Sequence, residues 1–186
     1  LDELIGKYLS FLNEYGRNAS TNTAMKQLAE LYIFHKHDLP TGMKLLEEII
    51  RIPASQHFIA QCKLDLADAY LMSDDLWEAT LLYGQVDKDF KEEPLGQEAK
   101  LRNAKLSFYK GDFEWAGDQL DILKTATSQL ISNDAIELAL LIQDNTGLDS
   151  TTDALKDYAR ANLLLFQNRL DESLKILNLM PFTYPK

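Results

Sequence analysis

The sequence is short of the residues that staple or interrupt a chain: one cysteine, five prolines and eight glycines among 186 residues. A lone Cys62 excludes an internal disulfide and leaves the redox compartment open. Its neighbours Phe58, Ile59, Leu64 and Leu66 mark it as a small buried hydrophobe rather than a reactive thiol. The scarcity of proline and the lack of low-complexity tracts argue against a long disordered linker. Apolar runs such as Leu163-Leu164-Leu165-Phe166 fall far below the ~20 residues a membrane-spanning helix needs. No charged start, apolar core and small-residue cleavage site follow one another as in a signal peptide. The chain opens on Leu1 without a methionine and closes on Pro185-Lys186, so an excised piece or processed product is expected.

Basic residues are also in deficit. Nineteen Lys and Arg stand against 29 Asp and Glu, a formal charge of −10. Such a surface repels a phosphate backbone and anionic lipid, which argues against nucleic-acid binding and docking on a membrane. It fits either a role in solubility or a basic partner. Catalytic signatures are missing too: no Gly-x-Ser-x-Gly, no Gly-rich phosphate loop, no His-Glu-x-x-His. No segment alternates strictly or clusters Val, Ile and Thr as a strand does, so the fold class is all-α.

What the chain does have is a period. Asp38-Leu39, Asp75-Leu76 and Asp112-Phe113 recur every 37 residues, each between two segments of helical periodicity. Four residues past each Asp stands a small residue, Gly42, Ala79 or Ala116, and upstream Ala29, Ala67 and Ala104 recur at 38 and 37. A fourth copy, Ala161, Arg169-Leu170 and Ser173, lies 57 residues beyond the third. Two helices packed antiparallel across a tight turn explain the pattern. Their axes approach to about 8–10 Å only where a small residue lies at the crossing. Ala67 and Ala79 are the close-approach positions, with Tyr70 and Tyr83 filling the space beside them. Each turn Asp is placed to cap the second helix, and Gly111 suits a left-handed residue ending the first.

The spacing predicts a leading helix at about 2–15. Pairs follow at about 21–36 with 39–52, 57–72 with 75–90, 95–109 with 112–127, and 152–166 with 170–180. An unpaired helix at about 133–145 accounts for the longer final step. Ser150-x-x-Asp153 resembles a capping box, Gly147 ends the helix before it, and Pro53 and Pro94 fall between pairs. The whole is expected to be one helical-repeat domain over residues 1–186, an α-α superhelix of antiparallel helix pairs.

These residues resemble the tetratricopeptide repeat, with Leu, a small residue and Tyr on the first helix, then Ala, an aromatic and a closing Pro after the turn. Pair two matches through Leu66, Ala67, Tyr70, Ala79, Tyr83, Val86 and Pro94. Pair one matches through Leu28, Ala29, Tyr32, Gly42, Leu46, Ile49 and Pro53. Pair three keeps Ala104, Ala116, Leu120 and Leu123 but has Ser107 for the tyrosine, and pair four keeps Ala161, Leu164, Ser173, Leu177 and Met180. The motif's leading Trp is missing throughout; Trp77 and Trp115 lie in second helices. The stretches 109–116 and 132–139 look like those of bacterial cell-envelope repeat proteins, which favours the periplasm or envelope slightly over the cytoplasm.

The resemblance implies a non-enzymatic scaffold whose concave face holds a peptide or protein. Carried over by position, the groove-facing residues are Lys26, Glu30 and Phe34, then Gln61, Asp65, Asp68 and Met72. Arg102, Lys105 and Tyr109 follow, then Tyr158, Asn162 and Phe166. Where some family members grip a terminal carboxylate with Asn, this chain has Glu30 and Asp68, which disfavours that ligand. The alternative is a structural spacer or oligomerising section of a longer array, with self-association through the apolar end Leu179-Met180-Pro181-Phe182-Thr183-Tyr184.

Other clusters have plainer explanations. His35, His37 and Asp38 suggest a zinc site, but residues two apart on a helix diverge by about 200°, and a solvated turn is expected instead. Asp74-Asp75, Glu92-Glu93 and Glu47-Glu48 are read as turn and surface carboxylates rather than a catalytic pair. Asn18-Ala19-Ser20 fits a glycosylation sequon that matters only in a secretory eukaryotic setting. Most aromatic residues fall at packing positions and the stretch Asp65 to Glu93 is strongly acidic, unlike the basic surroundings of repeats that stack RNA bases. No catalytic residue, metal or cofactor is expected.

Overall fold

A computed structural model describes residues 1–125, 128–146 and 151–184. All regular structure in these residues is helical. The order is α1 (Asp2–Tyr15), α2 (Asn22–Glu30) running into a π-helical turn (Leu31–Lys36), α3 (Leu39–Ile50) and α4 (Gln56–Met72). Next come α5 (Leu76–Asp89), α6 (Pro94–Tyr109), α7 (Phe113–Leu123), α8 (Gln129–Thr146), α9 (Asp153–Phe166) and α10 (Leu170–Thr183). Helices adjacent in sequence pack as consecutive pairs, as the 37-residue period predicts. The chain divides into two compact units, Leu1–Leu82 and Tyr83–Lys186.

In the first unit α1 lies on α2, α2 and its π turn pack on α3, and α3 packs on α4. Met25, Leu28, Ile33, Leu46 and Ile49 are fully buried at the centre, with Ile5, Leu12 and Cys62 around them. The crossing of α2 and α3 depends on Gly42. A Cβ there would lie 2.4 Å from Ile33 Cγ1 and 3.0 Å from the Ala29 carbonyl oxygen, inside normal contact. In the second unit α6 packs on α7, α7 on α8 and α9 on α10, while α6 also touches α8 and α9. Phe108, Phe113, Leu120, Leu123, Ala135, Leu155 and Ala159 belong to one core. At the α9–α10 crossing the two backbones come so close that Ser173 Oγ donates to the Ala161 carbonyl at 2.8 Å. The small residues therefore sit where large ones would push the helices apart.

The turns carry the repeat in their backbone. His37, Asp74, Gly111 and Asn168 all have left-handed φ, at 55°, 69°, 78° and 59°. The following N–H closes each first helix: Asp75 to Tyr70 O at 2.9 Å, Asp112 to Ser107 O at 3.0 Å, Arg169 to Leu164 O at 2.8 Å. This is the six-to-one bond of a Schellman ending. The first turn differs: Asp38 N–H reaches back one residue further, to Tyr32 O at 2.9 Å. The extra residue is taken up by the π turn. That is the physical reason why Ala29 and Ala67 are 38 apart while the turn aspartates keep 37.

Several expectations need correction. Asp38 and Asp75 accept from Thr41 N–H and Glu78 N–H, each at 3.3 Å, but the Asp112 side chain makes no capping bond. There the first turn of α7 draws its negative charge from Glu114 instead. The helix expected at 133–145 is longer, Gln129–Thr146, and not unpaired, since it packs along α7. The partner helix expected to reach residue 127 closes at Leu123, and α10 runs through Pro181 to Thr183 rather than stopping at 180. Gly147 and Ser150, read as a helix stop and a cap, lie outside the described residues.

Candidate functional site

The groove-facing positions expected from sequence fare differently in the two units. In the first, α2 and α4 bring three of them together as an ion-paired cluster. Lys26 Nζ lies 2.7 Å from Asp65 and also bonds Glu30, one turn along α2. The Lys26 and Asp65 side chains are only 17% and 15% exposed, so little solvent screens the pair. Burial disfavours the Lys26 ammonium, but its bonds to Asp65 and Glu30 outweigh this and raise its pKa above the ordinary lysine value. Nearby Cys62 is buried and pushed up to about 12, chiefly by desolvation. Phe34 lies in the π turn and is exposed, as is Gln61; Asp68 and Met72 are half-buried, Met72 against the unit's core.

In the second unit four of the expected residues line one groove. Lys105 and Tyr109 on α6 and Tyr158 and Asn162 on α9 form two of its sides, with a volume of about 420 Å³. The third side is α8, whose Asp134, Glu137, Leu138 and Leu141 fall at helical spacings of three and four and so share a face. Phe108, almost fully buried, lies beneath. Phe166 joins through Tyr109, their ring centroids 6.4 Å apart, and Tyr109 meets Phe108 at 6.0 Å. Lys105 Nζ pairs with Asp134 at 3.1 Å. Asn162 Nδ2 donates to the Tyr158 carbonyl at 2.9 Å, one helical turn back. The remaining expected residue, Arg102, pairs with Glu98 along α6.

The four α8 residues were missed from sequence because α8 has no counterpart in the 37-residue period. Its i, i+3, i+4, i+7 face of Asp134, Glu137, Leu138 and Leu141 was the available signal. A larger cleft of about 780 Å³ runs between α7 and α8, edged by Glu114, Asp118 and Asp121. These fall at i, i+4 and i+7 on α7, with Lys124 2.7 Å from Asp121, a pattern of a solvated acidic face. The aromatic groove has the apolar floor and few convergent polar groups typical of a ligand site.

Among the described residues, no three or more His, Cys, Asp or Glu side chains come together to hold a metal ion. Nor is any described helix long and apolar enough to cross a membrane. The fold thus defines an all-α protein of consecutively paired helices. No protein-family model, curated protein or solved structure matches the chain.

Proposed function

We propose that the chain is a non-enzymatic, tetratricopeptide-like module that binds a peptide or protein segment in the groove between α6, α8 and α9. The observation carrying this reading is the convergence of Lys105, Tyr109, Tyr158 and Asn162 on one apolar-floored groove. Tyr158 and Phe166 are each 36% exposed, presenting aromatic surface at a low cost in side-chain entropy. Capture from the source organism's lysate tests it, comparing the native chain with a Tyr109→Ala/Tyr158→Ala variant and a Trp77→Ala control. Circular dichroism would verify that each remains folded. The groove variant should lose bound partner by at least about tenfold, and the control should lose none. Equal capture by both would move the site elsewhere.

A structural or oligomerising role is the second reading, and α10 favours it. Ser173 is the one buried residue of that helix, while Leu170, Leu174 and Leu177 form an exposed stripe. Sedimentation at increasing concentration should then show a dimer that Leu174→Asp disperses. A monomer throughout would remove this reading.

A further inference from the structure

The groove carries an electrostatic preference that its shape alone does not set. Lys105, the one cation among the described residues that line it, is engaged by Asp134. Glu137, next along the same face of α8, is exposed and has no cationic partner among the described residues. Tyr109 and Tyr158 line the same groove, with Phe166 packed on Tyr109. Asn162 uses its amide nitrogen on the Tyr158 carbonyl, which fixes the amide's orientation and leaves Oδ1 as an acceptor. Uncompensated carboxylate, aromatic faces and a carbonyl oxygen all favour positive charge. A carboxylate or phosphate brought here would meet Glu137, with no unpaired cation among the described lining residues to receive it.

From this we infer that the groove's occupant is a basic peptide segment: an arginine side chain laid over the tyrosine rings and paired with Glu137, next to an apolar side chain seated on Phe108, Leu138 and Leu141. Arginine fits better than lysine because its planar guanidinium stacks on aromatic rings while still bonding a carboxylate. The chain's net charge of −10 steers such a segment inward. The inference rests on reading the groove as a peptide site, so its test has to separate the two claims.

Random short peptides displayed on phage would be selected on the native chain, on Glu137→Lys and on Tyr109→Ala/Tyr158→Ala. Recovered peptides would then be synthesised and titrated by fluorescence anisotropy. The expected pool is rich in Arg beside Leu, Ile or Phe. Its members should bind Glu137→Lys about tenfold or more weakly, and lose affinity as salt is raised. A pool sensitive to the tyrosines but neutral or acidic in composition, with Glu137→Lys binding unchanged, would overturn the basic specificity and leave the groove standing. A pool bound equally by all three proteins would overturn the groove itself, and the inference with it.

Discussion

The two units meet the same problem, an insertion into a regular array of helix pairs, on different scales. In the first unit one extra residue enters the first helix of a hairpin and is absorbed locally, as the π turn Leu31–Lys36. The hairpin still ends on a left-handed residue and the small-residue crossing at Gly42 is kept. In the second unit a whole helix, α8, enters between hairpins. It packs on α7 and also touches α6, which stays in contact with α9. In the first unit three of the candidate residues neutralise one another, Lys26 with Glu30 and Asp65. The large insertion adds a third wall and makes a groove. An inserted helix can thus add a wall to a groove while the helices on either side stay in contact.

The sharpest way to break that comparison is to delete single residues. Removing His35 should convert the π turn into ordinary α-helix, giving this hairpin the turn spacing of the other three. A change in stability within about 1 kcal/mol is expected, because a π turn is not intrinsically favoured. Removing Asn162 from α9, where there is no spare residue, rotates Ala161 and Leu164 out of register. It should cost several kcal/mol, enough to melt the α9–α10 pair. Urea denaturation of both variants measures this, and equal losses would refute the account of the first turn.

Intermediate effects belong to the Lys26 cluster. Lys26→Met removes the ammonium that Asp65 and Glu30 share and should destabilise the protein by roughly 1–3 kcal/mol. The pKa of Lys26 is raised in the folded state, so its contribution is fully present below the ordinary lysine value of 10.5. It is lost as pH climbs through the higher folded value. Denaturation midpoints of native protein and Lys26→Met should therefore converge only in strongly alkaline solution; a gap that closes near neutrality contradicts the assignment.

The smallest effect concerns Cys62. With burial lifting its pKa to about 12, the thiolate is scarce at pH 8. Iodoacetamide should modify the native protein far more slowly than the urea-unfolded chain, read by mass spectrometry. Equal rates would mean that the first unit opens readily.

Much of this architecture is legible in the sequence because hairpins are local. Ala29 with Gly42 and Ala161 with Ser173 lie within a few turns of each other, so spacing alone predicts their crossings. The first helix was placed at its observed bounds for the same reason. The left-handed turn was anticipated only at Gly111, where glycine advertises it. His37, Asp74 and Asn168 adopt it because the helix ending requires it, and their side chains give a weaker sign. The 38-residue spacing between Ala29 and Ala67 held the π turn in plain view, but a one-residue slip cannot be assigned to a position without backbone geometry. Four of the nine residues lining the groove, Lys105, Tyr109, Tyr158 and Asn162, are positions that the sequence marks as groove-facing. Asp134, Glu137, Leu138 and Leu141 are not, because nothing repeated says against which neighbour an inserted helix packs.

The most direct measurement is an amide chemical-shift titration of the isotope-labelled protein with a peptide recovered on the native chain. The largest shifts should gather on Lys105, Tyr109, Glu137, Leu138, Tyr158 and Asn162, with those of residues 1–82 near zero. Saturable binding whose shifts fall instead in residues 1–82, with the α6, α8 and α9 amides unmoved, would contradict the assignment of the groove.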